Sequence, residues 1–246
     1  MWPTRQTIGC CALHPEGLGQ TLREAQALLF DLDGTLVAPT IDFGALNQAV
    51  RDVVAAHGAG EALVGLPPLL ALEMIDAAAR WLVKRGQGDA DALRKDGQCA
   101  ILAIEVAAAD GAAPFEGVPA MLHTLAARGL RIGIVTRNSR EAAARIVTRG
   151  KLVCDVLLSR DDVAQVKPDP AHLYVALERL GVPAGQALMC GDQAMDMVAG
   201  KRAGVGAVGV LTGGARAQDL TNAGADLVLT CITDLIGYLA DEGAAL

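Results

Sequence analysis

Apolar runs and amphipathic stretches alternate over most of this chain. Three short apolar runs each lead into polar residues: Ala27–Phe30 before Asp31, Arg131–Val135 before Thr136, and Ala187–Cys190 before Gly191 and Asp192. None of these runs alternates with polar positions, which is the pattern of strands buried on both faces of a parallel sheet. Two further strands are predicted at Val208–Leu211 and Leu227–Leu229.

Helical patterns separate the predicted strands. Several end at a glycine, as is common at helix C-termini, and Ser139 or Asn138 is a suitable N-cap for the helix that begins at Arg140. The predicted helices are Val118–Arg128, Arg140–Arg149, one from Asp169-Pro170 to Gly181, Ala194–Ala203 and Asp234–Ala240. This alternation predicts an α/β protein with a doubly wound, mainly parallel sheet in a Rossmann-like core.

A long interruption separates the first two predicted strands. Residues 38–113 have the pattern of three helices, Phe43–His57, Leu69–Arg85 and Ala90–Ala109. The segment is too long for an ordinary connection and too regularly patterned for disorder. We therefore predict an α/β core of residues 25–37 and 114–246, an inserted all-helical cap subdomain of residues 38–113, and an N-terminal extension of unknown role in residues 1–24.

Composition and charge narrow the classes of partner. The 246 residues carry a formal net charge of −7 with no basic run and 3% aromatic residues, which argues against a nucleic-acid partner. No apolar stretch reaches the roughly 18 residues of a membrane span, and the N-terminus lacks a secretory signal pattern. The six cysteines are scattered without metal-binding spacing, which favours a reduced, cytoplasmic protein without structural zinc. Nothing in the sequence indicates an oligomeric state.

The segment from Phe30 to Leu36 places two carboxylates, Asp31 and Asp33, where a buried strand ends. The two-residue period of a strand directs both side chains the same way, and Gly34 allows a sharp turn. Two acids this close suit a nucleophile beside an acid–base group. The structural alternative is an Asx-turn that closes the strand.

Asp192 and Asp196 form a second acidic pair, four residues apart, after another predicted strand. On the first turn of a predicted helix this spacing would put both carboxylates on one face. The helix dipole also favours an acid there, so a plain N-cap is the alternative for Asp192. Clustered carboxylate oxygens are the ligands that Mg²⁺ prefers, and a magnesium site is therefore predicted.

Lys167 and Thr136 add two groups suited to binding phosphate. Lys167 precedes Pro168 on a loop that enters a helix, and the proline restricts it to an extended conformation. Thr136 ends a strand, where its hydroxyl can bind a phosphate oxygen or cap the next helix. Ligands of open α/β sheets bind beyond the carboxyl ends of the strands, where both acidic pairs and Thr136 are predicted to lie. Together these groups indicate phosphoryl transfer.

These motifs, in this order, resemble those of the haloacid dehalogenase-like hydrolase superfamily in its phosphatase branch, most of all the phosphoglycolate phosphatases. The resemblance runs from about Ala27 to the C-terminus and rests on Asp31–Thr35, Thr136, Lys167 and Gly191–Asp196. The superfamily's cap domain corresponds to the helical insertion. The chain departs from the family pattern at Leu36–Thr40, Arg137 and Gln193, near loops expected to face the substrate.

The resemblance implies roles for the acidic residues. Asp31 would attack phosphorus and form an aspartyl phosphate, while Asp33 would protonate the leaving oxygen and then activate water. Mg²⁺ would be held by Asp31, Asp192 and the backbone carbonyl of Asp33. Asp196 would support that shell or orient Lys167.

The resemblance also implies the class of reaction and of substrate. The expected activity is Mg²⁺-dependent hydrolysis of a small phosphorylated metabolite. The expected substrate contacts are Thr136, Arg137, Asn138 and Lys167. Dehalogenation is disfavoured because the superfamily's dehalogenases lack the second acid, Asp33. Two alternatives stay open: a phosphomutase that acts on a sugar phosphate with the same nucleophile, and a non-catalytic phosphate-binding protein.

Overall fold

The structure, a computed structural model, describes residues 24–66 and 70–241. These residues form a six-stranded parallel sheet in the order β3-β2-β1-β4-β5-β6. The strands are β1 (Ala27–Phe30), β2 (Arg131–Val135), β3 (Val156–Leu158), β4 (Ala187–Gly191), β5 (Gly206–Val210) and β6 (Leu227–Leu229). The predicted doubly wound α/β fold is confirmed, and the strand order reverses between β1 and β4.

Nine helices lie between or after the strands along the described part of the chain. They are α1 (Phe43–Ala56), α2 (Ala71–Arg85), α3 (Ala90–Ala109), α4 (Val118–Ala127), α5 (Arg140–Arg149), α6 (Ala171–Leu180), α7 (Ala194–Ala203), α8 (Ala217–Asn222) and α9 (Leu235–Asp241). Short 3₁₀ helices occupy Gly60–Leu63, Arg160–Asp162, Ala184–Gln186, Leu211–Gly213 and Ile232–Asp234. In the described residues, no helix is both long enough and apolar enough to cross a membrane.

The sheet is buried because its central strands are apolar on both faces. All four residues of β1 are fully buried, and β1 pairs with β2 on one side and β4 on the other. Leu173, Ala176 and Leu177 of α6 belong to the same apolar cluster as Leu29 and Met189. Burying one leucine of this kind stabilises the fold by roughly 1.5–3 kcal/mol, so the strand ends are held on a rigid frame.

Several predicted boundaries differ from the structure. The sequence pattern does not predict the short strand β3, and β5 begins at Gly206 rather than at Val208. The third helix of the core begins after Pro170, since the Asp169 side chain accepts from the Ala171 backbone and Pro170 is the N-cap. The predicted helix start at Leu69 lies outside the described residues, as do residues 1–23 of the predicted extension and 242–246 of the predicted core.

The chain divides into two compact units. One runs through Pro39 and resumes at Ala112, and the other is Thr40–Gly111. The second unit contains α1, α2 and α3, whose buried apolar residues form one cluster. The predicted insertion, residues 38–113, has boundaries two residues outside these. Gly97 of α3 allows close packing, because a Cβ there would lie 2.6 Å from Ile75 Cδ1.

The two chain segments that enter and leave the inserted unit lie side by side. Val37 and Pro114 form an antiparallel bridge. Ala38 N donates to Ala113 O at 3.0 Å, and Phe115 N donates to Leu36 O at 3.0 Å. The core unit is therefore closed by backbone hydrogen bonds at the point where the insertion begins and ends.

Candidate active site

The predicted site residues follow three adjacent strands. Asp31 follows β1, Thr136 follows β2, and Asp192 follows β4, so all three stand at the carboxyl edge of the sheet. Backbone hydrogen bonds continue the ladder one residue beyond two of these strands, from Asp31 N to Cys190 O at 2.9 Å and from Thr136 N to Leu158 O at 2.9 Å. In open α/β sheets ligands bind beyond the strand ends where the strand order reverses, and Asp31 and Asp192 follow the two strands on either side of the reversal between β1 and β4.

Three buried carboxylates meet at this reversal point. Asp31, Asp192 and Asp196 each offer an oxygen atom, and these atoms lie within 4.8 Å of one another. Thr35 Oγ1 donates to Asp192 Oδ1 at 3.0 Å, which orients that carboxylate. Cation ligands that are all carboxylate oxygens suit a hard ion such as Mg²⁺, so these residues could hold one.

Lys167 bridges two of the carboxylates from a fully buried position. Its Nζ lies 2.8 Å from Asp31 Oδ1 and 2.7 Å from Asp196 Oδ1. Burial by itself would lower the pKa of Lys167, but the attraction of Asp196 and Asp31 outweighs burial and holds the pKa above its usual value. The lysine is therefore charged, at the turn that precedes α6, where the Lys167–Pro168 peptide bond is cis.

The carboxylates together carry more negative charge than Lys167 neutralises. Burial, and then the charges of Asp31 and Asp196, raise the pKa of Asp192 to about 8. Burial raises the pKa of Asp196 to about 6, although Lys167 opposes that rise. When all four groups are ionised, three carboxylates and one ammonium leave two negative charges in excess. A divalent cation would balance them, which is a second respect in which the residues fit Mg²⁺.

Asp192 and Asp196 do not share the first turn of a helix, and that prediction is wrong. Gln193 is the N-cap of α7, so Asp192 belongs to the end of β4 and only Asp196 lies in the helix. The Gln193 backbone N–H donates to Asp196 Oδ2 at 3.1 Å, which satisfies a donor at the helix start. The two carboxylates nevertheless lie close together, because Asp196 on the first turn of α7 packs over Gly191, the residue before Asp192.

Asp33 stands apart from the three clustered carboxylates and contacts Asn138 instead. The Asn138 side-chain amide donates to Asp33 Oδ2 at 2.6 Å. Thr136, two residues earlier, accepts a hydrogen bond from Asn138 N at 3.1 Å through its hydroxyl oxygen. An accepting hydroxyl keeps its own proton to donate, so Thr136 can still serve a phosphate oxygen. Ser139 is the N-cap of α5, one of the two predicted candidates.

The half-buried Arg137 side chain packs within the core unit. Its guanidinium donates to Lys167 O at 2.8 Å and approaches Met195 Sδ at 3.7 Å. Arg137 thus braces the loop that carries Lys167. Its predicted contact with substrate stays a prediction.

Glycines shape the site where no side chain would fit, and the sequence pattern does not identify all of them. A Cβ at Gly34, which has φ +80°, would lie 2.5 Å from Asp192 Oδ2, and one at Gly213 would lie 1.7 Å from the same atom. Thr212 donates to the Gly34 carbonyl, which ties the loop after β5 to the first motif. Thr212 and Gly213 follow an ordinary strand, so only their contacts in the fold single them out.

Comparisons with known proteins agree with this geometry. Residues 25–204 match the family model described as hydrolase, haloacid dehalogenase-like hydrolase. A phosphoglycolate phosphatase from Rhodospirillum rubrum is 37% identical over 227 residues, which cover 87% of this chain and 90% of that protein. An N-acetylmuramic acid 6-phosphate phosphatase from Pseudomonas aeruginosa is 30% identical over 232 residues, which cover 87% of this chain and 94% of that protein.

A solved structure supports the same assignment. The crystal structure of a hydrolase from Pseudomonas syringae has a TM-score of 0.64 and 25% identity, and covers 88% of this chain and 98% of its own. The chain belongs to the haloacid dehalogenase-like hydrolases, in the phosphatase branch. By class it is a phosphoric monoester hydrolase.

Proposed function

We propose that this enzyme hydrolyses a small phosphate monoester through an aspartyl phosphate formed on Asp31, with Mg²⁺ bound beside it. The observation that carries the proposal is the pairing of Asp31 with the buried, charged Lys167 at the reversal point of the sheet. A carboxylate held in this way has a fixed orientation. It is a suitable nucleophile for a phosphorus atom whose oxygens are bound by cations.

The reaction has two steps. In the first, Asp31 forms a bond to phosphorus, the ester P–O bond breaks, and the departing oxygen takes a proton from Asp33. In the second, water attacks the phosphorus, the bond to Asp31 breaks, and Asp33 accepts the proton that the water loses. The products are an alcohol and inorganic phosphate, and the enzyme returns to its first state.

Mg²⁺, Lys167 and the Thr136 hydroxyl would stabilise the negative charge of the phosphoryl group. Mg²⁺ held by Asp31, Asp192 and the Asp33 carbonyl, with Asp196 in support, would offset charge on the phosphoryl oxygens. Lys167 has three donors, two of which point to Asp31 and Asp196, and the third is suited to a phosphoryl oxygen. Thr136 would donate its hydroxyl proton to another.

The substrate is proposed to be a small phosphorylated metabolite. The two relatives described above are named for phosphoglycolate and for N-acetylmuramic acid 6-phosphate, both small esters. Arg137 and Asn138 follow Thr136 directly, and the loop from Thr136 to Asn138 would contact the part of the substrate that lies beyond the phosphate group. A panel of small phosphate esters identifies the substrate by release of inorganic phosphate.

The covalent step is tested with Asp31→Asn. The amide keeps the shape of the side chain and removes the nucleophile, so turnover should fall by roughly 10³-fold or more. Asp219→Asn is the matched control. Asp219 lies in α8 and pairs with Arg216 away from the candidate site, so this variant should keep wild-type turnover. Acid quenching during turnover, followed by mass spectrometry, should find a phosphoryl group on the peptide that contains Asp31.

Each other outcome points to a different function. Asp31→Asn with a tenth or more of wild-type turnover would remove the covalent role. An isomerised sugar phosphate in place of inorganic phosphate would identify a phosphomutase. Binding of phosphate esters without any turnover, in the presence of Mg²⁺, would identify a binding protein.

A further inference from the structure

The contact between Asn138 and Asp33 joins two loops that are distant in sequence. The two residues are separated by 105 positions, and the Asn138 amide nitrogen lies 2.6 Å from Asp33 Oδ2. Asn138 is 5% exposed, so its amide is shielded from bulk water. A hydrogen bond of this length from an amide to a carboxylate oxygen is short, and shielding strengthens it.

Neighbouring hydrogen bonds hold the Asn138 backbone on both sides. Asn138 N donates to Thr136 Oγ1 at 3.1 Å, and Arg160 N donates to Asn138 O at 3.1 Å. The Arg160 guanidinium also donates to Arg137 O at 3.2 Å. Ser139, the next residue, begins α5 as its N-cap. With the backbone fixed, the short asparagine side chain has few directions open to it, and it points at Asp33.

We propose that Asn138 is a positioning residue that holds the Asp33 carboxyl group through Oδ2, in the orientation from which Asp33 exchanges protons with the substrate. The inference rests on the proposed function, in which Asp33 is the acid–base group. An ionised carboxylate only accepts hydrogen bonds, so the asparagine must present its amide nitrogen to it. Because Oδ2 accepts that bond, the Asp33 carboxyl group is held in one orientation. This role differs from the substrate contact predicted for Asn138 from the sequence.

The proton balance of the first step defines what the loss of Asn138 should change. The ester P–O bond breaks with its electron pair on the leaving oxygen, which takes the proton from the Asp33 carboxyl group and departs as an alcohol. An alkyl leaving group needs that proton because an alkoxide is a poor leaving group. A nitrophenyl leaving group is stable as an anion and leaves without it. A misplaced Asp33 therefore slows alkyl esters selectively.

The test compares kcat/KM for alkyl and aryl phosphates in Asn138→Ala. The value of kcat/KM depends only on the steps up to release of the alcohol or phenol. The later step, in which Asp33 accepts a proton from water, therefore does not affect it. We expect kcat/KM for an alkyl phosphate to fall by about 10- to 100-fold, and that for p-nitrophenyl phosphate to change by less than about 3-fold. Inhibition by inorganic phosphate should stay as in the wild type, because the phosphate contacts are intact.

Two further variants complete the experiment. Asn222→Ala removes an exposed asparagine that accepts from Gln218 on α8 and should match the wild type on both substrates. Asn138→Asp keeps the shape, replaces the donor with a carboxylate that repels Asp33, and should show the same selective loss. It takes the place of the alanine variant if that variant does not fold.

The outcomes separate this inference from the proposed function. Equal losses on alkyl and aryl esters, or weaker inhibition by phosphate, would make Asn138 a phosphate contact or a structural residue and overturn the inference, while the function stands. A wild-type enzyme that releases inorganic phosphate from no ester of the panel with Mg²⁺ would overturn both. A selective loss in Asn138 variants, in an enzyme whose Asp31→Asn form is inactive, supports both.

Discussion

At the scale of single residues, Lys167 shows how the fold tolerates a charge in its interior. A lone buried ammonium would lose its hydration without compensation. Two carboxylate oxygens within 2.8 Å of its Nζ replace that hydration and keep the lysine charged. The same contacts fix Asp31, so one side chain contributes both to stability and to the orientation of the proposed nucleophile.

Replacing Lys167 with methionine should remove the charge while keeping a long, unbranched side chain. The variant leaves buried carboxylates without their cation, so unfolding by urea at neutral pH without metal should show a loss of about 3–5 kcal/mol, and activity should vanish. Lys201→Met is the control, because Lys201 pairs with Asp226 at 2.7 Å on the surface and should lose no more than about 1 kcal/mol. Equal stability in the two variants would contradict this view of Lys167.

At the scale of elements, the junction of β4 and α7 combines three tasks in few residues. Gly191 ends the strand, Gln193 caps the helix, and Asp196 contributes a carboxylate to the site. Asp196 packs directly over Gly191, where a Cβ would lie 2.3 Å from Asp196 Cγ and 2.4 Å from its Cβ. The absence of a side chain at this position therefore lets the first helical turn close on the strand.

Gly191→Ala should displace Asp196 and weaken both the fold and the site. Overpacking of this kind costs about 1–3 kcal/mol, and a displaced Asp196 would also loosen Lys167. Gly185 lies before the same strand, and a Cβ added there would have nothing within 4 Å, so Gly185→Ala should leave stability and turnover unchanged. Thermal unfolding measures the stability of the two variants, and steady-state kinetics measures their turnover. A Gly191→Ala enzyme that matches Gly185→Ala would contradict the close packing.

The same elements show what the sequence can and cannot predict. Asp31, Thr136 and Asp192 are predicted to share one edge because buried apolar runs indicate parallel strands, whose carboxyl ends lie together. The strand β3 escapes prediction because three residues, Val156–Leu158, carry too little pattern, and its pairing with β2 is what defines it. The contact between Asn138 and Asp33 follows from the way strands align, and no local pattern records it.

At the scale of the whole molecule, the buried acids link stability to pH and to metal. Burial and mutual repulsion raise the pKa of Asp192 to about 8 and burial raises that of Asp196 to about 6. Both values lie above the ordinary value of about 3.9 for an unfolded chain. Between the unfolded pKa of about 3.9 and the folded pKa of about 8, the folded protein binds more protons than the unfolded chain. These groups therefore make the free energy of unfolding fall as pH rises.

Without metal, the free energy of unfolding contributed by this cluster should decrease from about pH 4, near the pKa of an unfolded aspartate, to about pH 8. Mg²⁺ competes with these protons, so its stabilising effect should grow over the same range and reach about 2.7 kcal/mol at a concentration 100 times its Kd. Chemical unfolding with a chelator or with Mg²⁺ measures both trends. Asp192→Asn is the comparison that tests the cluster, because it should reduce the pH dependence of stability and the pH dependence of the Mg²⁺ effect. If neither pH dependence changes in that variant, other groups cause them.

The paired backbone at Val37 and Pro114 has a consequence for how this molecule can change over evolutionary time. Because the chain leaves and rejoins the core at hydrogen-bonded neighbours, everything between them is equivalent to one long hairpin loop. The entropy of closing such a loop grows slowly, by about 0.6 kcal/mol for each doubling of length. Residues 40–111 can therefore lengthen, shorten or be exchanged for another segment with little effect on the sheet, which leaves the chemistry of the core constant while the inserted unit diversifies.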